Sequence, residues 1–569
     1  MALLPRYYQT ELSYLRDLVR GFVRQHPEVA HVVLEGGDAA TERLLQGTAL
    51  LTARTRYRIE DDFPEIIGPL FEQLWPQYLR AFPAATLLQL VARPGALRQN
   101  LPIASGTVVV GHELTLPPDN RTVRCDFQTC GPLSIPPLEL TTARLDRAHP
   151  ADLRLRLAFE LSSGSVFDAA GLKALRLHLR GEPAARLTRY LWLTHHARGV
   201  SVCDPAGRVC VELPASAISP VGFAPSEALL PGTPPPLDGY RLLQEYFALI
   251  DKLIAVEIGG LDRVPPGALQ HAFELVVHLG PLPAPAIGAE PADFALGCVP
   301  VINASAAEAL DLPVLPQTSQ YALTAPQGGE IFAVDAVGGY DPAHKAWVEY
   351  EPFVGGAGAL HAGGRPCYQV LWRGDGVRGV RAYLLITDSL GRQLQPPSER
   401  LRLTLRYTNG DLPLHLGVGQ TLAAAPTTPQ FVEVRNLAPI AGARELALGR
   451  DELWDLLALF TMHPQDVGSV NGLTQLLQRA RSGRSPLGGA PEVRAVRSRL
   501  STRLHRQAVV PLRELEVDVG GEAFVCEGHL WLFGQVLRLL YGPRGPSPVF
   551  HRLTLRALPD GPTFRYAPR

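Results

Sequence analysis

The sequence predicts a multidomain α+β protein, with an N-terminal helical head, then β-rich modules of the sandwich or barrel type, and a mixed C-terminal region. The chain has 569 residues, which suggests about three or four domains. Its hydrophobic pattern has a helical period at first and mostly a period of two afterwards. Gly (53) and Pro (52) are both over-represented, which is typical of many turns between short strands.

The helical head is predicted over residues 1–85. Apolar residues recur at helical spacing over 12–23, and this pattern predicts a first helix that Pro27 ends. Two more helices are predicted over 41–57 and 64–78. The last of these is rich in bulky side chains and is closed by prolines.

A β-rich domain is predicted over residues 86–236. Apolar and polar residues alternate strictly over 153–157 and 175–179, as they do in half-buried strands. One short helix is expected over 184–195. The four prolines within 231–236 indicate a linker at the end of this domain.

The third predicted domain, residues 237–425, combines one helix with further strands. The helix is expected over 241–253, where leucines and aromatic residues share one side. Alternation over 273–277, 382–386 and 401–405 predicts three of the strands.

A fourth domain, residues 426–569, is predicted to mix helices and strands. The spacing of its apolar residues changes several times between the helical period and the period of two, so neither an all-helical nor an all-strand domain is predicted. The predicted elements are helices over 452–460, 473–480 and 531–540, and strands over 515–519 and 553–555.

The overall charge and hydropathy exclude several classes of protein. Lys plus Arg number 54 and Asp plus Glu number 55, a net charge of −1. Nucleic acid is therefore not expected as a partner, because phosphate binding needs a basic surplus. No segment is apolar enough to span a membrane, and the N-terminus does not resemble a signal peptide. A cytoplasmic location is expected.

Each catalytic template that we compared with the sequence fails at a particular residue. None of the three lysines has the glycine and hydroxyl neighbours of a phosphate-binding loop. His112-Glu113 begins a zinc-protease pattern, but Leu116 stands where its second histidine is needed. We therefore expect no catalytic residues, no bound cofactor and no metal site, and we expect that the protein is not an enzyme.

Two clusters of potential ligands also have ordinary structural interpretations. Cys125 and Cys130 lack a second ligand pair at zinc spacing, so we interpret them as structural thiols of a β-domain. His195 and His196 lie near the end of a predicted helix. Cationic side chains are favourable there, because they interact with the helix dipole and the last carbonyl groups.

The order of several short segments along the whole chain resembles the TssF family (also called ImpG or VasA) of bacterial type VI secretion systems. The resemblance is strongest over Gly239–Phe247, with the sequence GYRLLQEYF. Other segments that carry it include Tyr7-Tyr8, Asp62-Phe63-Pro64, Trp75-Pro76-Gln77-Tyr78-Leu79, Leu296–Asn303, Thr408–Pro413 and Leu532-Phe533-Gly534.

This resemblance implies a structural role in the baseplate. Two TssF-like subunits pair around one TssG-like subunit, and with TssK-like and TssE-like proteins they form a wedge. Six wedges surround a spike hub, and this platform starts sheath and tube assembly in the cytoplasm at the inner membrane. The implied partners are thus a TssG-like subunit, a second copy of this chain, TssK-like and TssE-like proteins, and the hub.

We hypothesise that aromatic residues of the head and of the Gly239–Phe247 segment contribute to subunit contacts. Aromatic side chains are enriched in interface cores and hot spots. The alternative is that they pack between modules of this same chain. The candidates are Tyr7, Tyr8, Tyr14, Phe63, Trp75, Tyr78, Tyr240, Tyr246 and Phe247.

Two other functions stay open at this point. A wedge protein of a related contractile phage tail or injection system fits the same pattern. A β-rich chain with many aromatic residues also fits a carbohydrate-binding or carbohydrate-acting protein. The latter is supported only if two carboxylates lie about 5–10 Å apart on aromatic-lined strands.

Overall fold

The fold comes from a computed structural model that describes most of the chain. The described residues are 4–25, 39–61, 80, 82–109, 111, 113–116, 120–147, 153–230, 238–282, 287–316, 318–341, 345–353, 366–374, 380–388, 391–396, 398–422, 429–443, 468–481, 489–505, 508–542 and 550–567. Within these ranges, no helix combines the length and the apolar character needed to cross a membrane.

The described residues combine helices with a larger number of strands, which confirms the predicted β-rich α+β class. The helices are α1 (Leu4–Gln25), α2 (Ala39–Asp61), α3 (Phe167–Ala170), α4 (Pro183–Leu191), α5 (Asp238–Ala248), α6 (Val470–Ala480) and α7 (Glu527–Leu540). The predicted helices over 12–23, 41–57, 473–480 and 531–540 lie within α1, α2, α6 and α7.

The strands are distributed from residue 85 to the C-terminal end of the described chain. In order they are β1 (Ala85–Ala92), β2 (Leu101–Ile103), β3 (Val108–Val109), β4 (Glu113–Leu116), β5 (Arg121–Arg124), β6 (Phe127–Thr129), β7 (Leu133–Ile135), β8 (Leu138–Asp146), β9 (Leu153–Leu161), β10 (Ala174–Leu179), β11 (Ala197–Cys203), β12 (Val209–Pro214), β13 (Ile218–Pro220), β14 (Ala255–Gly259), β15 (Ala272–Leu279), β16 (Phe294–Ala295), β17 (Cys298–Ile302), β18 (Ser305–Pro313), β19 (Tyr321–Ala322), β20 (Glu330–Asp341), β21 (Ala346–Pro352), β22 (Cys367–Gly374), β23 (Val380–Thr387), β24 (Arg400–Thr408), β25 (Thr421–Leu422), β26 (Val432–Asn436), β27 (Val493–His505), β28 (Ala508–Gly520), β29 (Phe550–Leu558) and β30 (Thr563–Tyr566). Every strand that alternation predicted lies inside one of these longer strands.

These strands form several sheets, most of whose neighbours are antiparallel. The larger sheets have the orders β25-β26-β1-β17-β6-β3, β13-β14-β10-β16, β12-β11-β15-β9-β8, β18-β24-β20-β21-β22-β23-β19 and β27-β28-β29-β30. Strands β28 and β29 pair in parallel, and α7 lies between them in the chain. Helix α7 therefore supplies the crossover that a parallel pair requires.

Two predicted helices end earlier than expected. Helix α4 stops at Leu191, and a single π-helical turn follows over Trp192–His196. Helix α5 stops at Ala248, because Leu249 has the non-helical angles φ −145° and ψ 77° before a 3-10 turn. The predicted helices over 64–78 and 452–460, and the linker over 231–236, lie outside the described residues.

The largest hydrophobic cluster joins distant parts of the chain. It combines buried residues from 138–294 with buried residues from 473–566. Its members therefore come from three of the four predicted domains, and the cluster crosses the proposed boundaries at 236 and 425. The division into four domains stays a prediction.

Close backbone contacts hold α7 against both α4 and α5. A Cβ atom at Gly528 would lie 2.0 Å from the carbonyl oxygen of Leu187, and one at Gly239 would lie 2.4 Å from the Cα of Leu540. Real side chains do not fit at such distances, so only glycine permits these helices to approach so closely. The single glycine of the GYRLLQEYF segment is thus explained by packing inside the chain.

Candidate subunit interface

The first candidate interface is the pair of helices α1 and α2, which we call the α1–α2 hairpin (residues 4–25 and 39–61). The two helices pack against each other. Ala49 and Ala53, four residues apart on α2, are completely buried, and such small side chains let two helices approach closely. An ion pair between Arg16 and Glu42 also connects them, and this hydrogen bond lowers the pKa of the Glu42 carboxyl.

The outer surface of the hairpin is unusually apolar. On α1, Tyr14, Leu18 and Phe22 are 59%, 50% and 54% exposed, and their spacing of four residues places them along one side of the helix. On α2, Leu44 and Leu51 are 72% and 66% exposed, and they lie two turns apart. Exposed apolar residues that follow one side of a helix in this way are candidates for an interaction site.

Within the described part of the chain, α1 and α2 pack extensively only on each other. At 22 residues, α1 is about 33 Å long. It therefore presents its apolar side over a considerable length. A soluble helix normally buries such a stripe, so a partner is expected to cover it.

The structure places three of the nine predicted interface residues on this hairpin. Tyr7 and Tyr8 are half-buried in the first turns of α1, and Tyr14 is exposed. Phe63, Trp75 and Tyr78 lie outside the described residues. Only the three tyrosines can therefore be assigned to a defined surface.

The other three predicted residues lie inside the chain, in what we call the α5–α7 joint (residues 238–252 and 527–540). Tyr240, Tyr246 and Phe247 are only 3%, 5% and 5% exposed. The hydroxyl of Tyr246 lies 2.6 Å from Nε2 of His529 on α7. This is the packing that the alternative interpretation expected, while a role of these three residues in subunit contacts stays a prediction.

Charged residues of the same segment form a buried network. Arg241 is 2.7 Å from Asp238 and 2.7 Å from Glu245, and Lys252 forms a second ion pair with Glu245. The side chains of Arg241, Glu245 and Lys252 are at most 4% exposed. Burial lowers the pKa of Lys252, and the Glu245 carboxylate opposes this shift.

The same network reaches neighbouring loops through the backbone. Glu245 accepts a hydrogen bond of 2.8 Å from the N–H of Leu229. Arg241 donates one of 3.3 Å to the carbonyl oxygen of Phe223. Each buried charge is therefore compensated, which is the condition for keeping it inside. The network fixes α5 to the segment before it.

The paired histidines lie at a helix end, as predicted. Burial lowers the pKa of both His195 and His196 below the usual value. The ring of His195 lies 4.3 Å from the ring of Trp531. Burial therefore favours the neutral ring at both positions, and an interaction of positive charge with the helix dipole stays a prediction.

Cys125 and Cys130 are buried thiols. Burial raises the pKa of Cys125 to about 11 and that of Cys130 to about 12. A metal ligand or nucleophile requires the thiolate, which both sites disfavour. The described residues contain no cluster of three or more His, Cys, Asp or Glu that could hold a metal ion.

Sequence reasoning missed several residues of the apolar hairpin surface. Leu18 and Phe22 belong to the apolar series over 12–23, but periodicity alone does not say which part of the series the chain itself covers. Leu44 and Leu51 on α2 had been placed only within a predicted helix. The small residues Ala49 and Ala53, four positions apart, mark the side of α2 that packs on α1. They are the sequence signal that could have identified the opposite side of α2 as the exposed one.

Comparisons with known proteins agree on one family. The family model described as "Type VI secretion system, TssF" matches residues 1–569. A curated relative, the type VI secretion system component TssF1 of Pseudomonas aeruginosa, is 29% identical over 499 residues, which cover 81% of this chain and 80% of the relative.

Two solved structures are also similar. A chain of a TssK-TssF-TssG baseplate subcomplex, determined by cryo-electron microscopy, has a TM-score of 0.74 and 25% identity, with 92% of this chain and 98% of that chain covered. A chain of the baseplate complex from the type VI secretion system has a TM-score of 0.57 and 23% identity, with 100% and 99% covered. The second likeness concerns the fold alone.

Proposed function

Because the chain belongs to the TssF family of type VI secretion systems, we propose that it builds the baseplate wedge by binding a TssG-like subunit through its α1–α2 hairpin. TssF is a baseplate component, and the role of the chain is structural. The observation that carries the proposal is the apolar outer side of the hairpin, with Tyr14 and Leu44 59% and 72% exposed.

The type of surface supports a permanent contact. Obligate interfaces are more apolar than transient ones and can exceed about 2,000 Å². Two helices of 22 and 23 residues can provide such an area only if the partner also lies along them. We therefore expect the TssG-like partner to contribute helices that pack lengthwise against α1 and α2.

The remaining partners that we propose are those that the resemblance to the family implies. The wedge would contain a second copy of this chain with TssK-like and TssE-like proteins, and six wedges would surround a spike hub at the inner membrane. In this role the chain carries out no catalysis, and its net charge of −1 gives it no general attraction for nucleic acid.

The experiment is to co-express the full chain with the TssG-like protein encoded beside it, purify the complex through one tag and determine its mass. We expect a stable complex with two copies of this chain for each partner. A folded chain that purifies alone, at every salt concentration tried, would contradict the proposal.

A further inference from the structure

A small polar cavity lies between two of the sheets. It is lined on one side by Arg176 and His178 of β10 and Ala255 of β14, and on the other side by Cys298 and Pro300 of β17. Strands β10 and β14 belong to the sheet β13-β14-β10-β16, and β17 belongs to the sheet β25-β26-β1-β17-β6-β3. Most of the lining residues are buried, so the cavity is a feature of the interior.

The alternation of β10 explains why polar side chains reach this cavity. Its leucines point to the main core and are at most 1% exposed: Leu175, Leu177 and Leu179. Successive side chains of a strand point to opposite faces, so Arg176 and His178 point away from that core. This second face is covered as well, because His178 is only 4% exposed.

The buried ring of His178 needs hydrogen-bond partners. Burial, with the positive charges of Arg186 and Arg180 nearby, lowers the pKa of His178 to about 3. The ring is therefore neutral at neutral pH, with one nitrogen that donates and one that accepts. Among the described residues, neither nitrogen has a hydrogen-bond partner. Buried polar atoms without a partner are rare in native proteins, because each loses the hydration that it has in the unfolded chain.

Glu227 brings a carboxylate to the same cavity. One of its oxygens lies 3.0 Å from Nη2 of Arg176, and the other accepts a hydrogen bond of 2.8 Å from the N–H of Gly222. A carboxylate oxygen can accept two hydrogen bonds, so both oxygens have the capacity for one more. The cavity is therefore lined by groups that donate and by groups that accept.

The size and polarity of the cavity select its occupant. Its volume is about 20 Å³, and a buried water needs a space of about 10–15 Å³ with roughly two to four polar partners. Water both donates and accepts, as a neutral imidazole requires. A chloride ion only accepts, and the described residues contain no cluster of three or more His, Cys, Asp or Glu that could hold a metal ion.

We propose that this cavity binds one water molecule, which hydrogen-bonds to a ring nitrogen of His178 and to the carboxylate of Glu227. The water satisfies a buried imidazole at the boundary between two sheets. Buried waters of this kind are part of the structure and are costly to remove. The proposal concerns the folded chain itself, and it does not depend on the hairpin or on the role in the baseplate.

The first test is a high-resolution crystal structure of the full chain. We expect a density peak in the cavity at about 2.7–3.2 Å from a ring nitrogen of His178. A cavity without density, in a map that shows other internal waters, would overturn the proposal. Crystals soaked in bromide give a further check. Anomalous scattering at this position would also overturn the proposal, because the occupant would then be an anion.

The second test fills the cavity. Ala255 and Ala295 lie beside His178 on its two neighbouring strands; Ala255 lines the cavity, and Ala295 belongs to a hydrophobic cluster. Ala255→Val should displace the water. It should therefore lower the midpoint of thermal unfolding more in the chain with His178 than in a chain with His178→Leu, which has no ring nitrogens to leave unpaired.

The matched control is Ala295→Val, which also touches the histidine side of the sheet. It should lower the midpoint by the same amount in both chains, because it displaces no water. If the difference between the two chains is no larger for Ala255→Val than for Ala295→Val, direct contact with His178 explains it, and the water site is overturned.

Discussion

Two helical regions of the molecule carry the same kinds of large side chain in opposite environments. In the α1–α2 hairpin, Tyr14 and Phe22 are 59% and 54% exposed; in the α5–α7 joint, Tyr246 and Phe247 are each 5% exposed. Both regions also contain ion pairs. Those of the hairpin are in solvent, and those of the joint are inside the protein.

This difference shows why residue type alone does not identify an interface. Tyrosine and phenylalanine suit a buried core as well as a contact between subunits. In the joint, the hydroxyl of Tyr246 already has a partner within the chain, because it lies 2.6 Å from Nε2 of His529. On the hairpin, Tyr14 and Leu18 are 59% and 50% exposed, so this surface is the better candidate for contact with another subunit.

The largest effect should come from the buried charges of the joint. Glu245→Ala leaves Arg241 and Lys252 buried without their shared carboxylate, which should lower the free energy of unfolding by about 3–5 kcal/mol. Urea denaturation followed by tryptophan fluorescence measures this change. Asp17→Ala, which removes an exposed pair with Arg20 on α1, is the control and should cost at most about 1 kcal/mol. Equal losses of unfolding free energy in the two variants would contradict the expectation that the buried ion pairs matter more for stability than the exposed one.

Acid should weaken the joint through its buried histidine. Burial lowers the pKa of His529 to about 4, while an unfolded histidine has a pKa of about 6.5. The unfolded chain binds the proton more readily, so the stabilisation is complete above pH 6.5 and is lost as pH falls to about 4. The difference corresponds to about 3 kcal/mol. His529→Gln should reduce the dependence of unfolding free energy on pH, and an unchanged dependence would contradict this account.

In the hairpin the expected effect is on binding. Tyr14→Ala with Leu18→Ala should weaken association with the TssG-like partner by about 2 kcal/mol or more, if these are hot spots. The unfolding free energy of the free chain should change by no more than about 0.5 kcal/mol for each exposed site. Titration of labelled partner measures the first quantity, with Leu315→Ala as an exposed control. If the double variant binds the partner as tightly as the Leu315→Ala control does, the hairpin is not part of the interface.

The sequence predicted the elements of this fold better than their arrangement. Strict alternation of apolar and polar residues located strands such as β9 and β24, because successive side chains of a half-buried strand point alternately to the core and to solvent. The boundary at 236 had no such basis. The boundary at 236 was predicted from a proline-rich segment. The core, however, joins residues 138–294 to residues 473–566, and contacts between segments so far apart in the chain cannot be predicted from local sequence patterns.

The candidate interface was predictable only in part. The aromatic content of α1 pointed to Tyr14, but the same reasoning selected Tyr246, whose neighbours come from α7 almost 300 residues later in the chain. Exposure depends on what the rest of the chain covers, and hydrophobic periodicity does not contain that information. The lowered pKa of His195 has the same origin, because Trp531 approaches it from α7.

The smallest expected effect compares the two tyrosines directly. Tyr246→Phe removes one buried hydroxyl and leaves Nε2 of His529 without its 2.6 Å partner, so the unfolding free energy should fall by about 1 kcal/mol. Tyr14→Phe is the matched change on the hairpin, where the side chain is 59% exposed, and it should leave the free chain unaffected. Urea denaturation of both variants beside the unchanged chain measures the two values. A loss of stability from Tyr14→Phe as large as that from Tyr246→Phe would mean that the hairpin tyrosine is part of this chain's own packing, and the surface assigned to the TssG-like partner would have to be sought elsewhere.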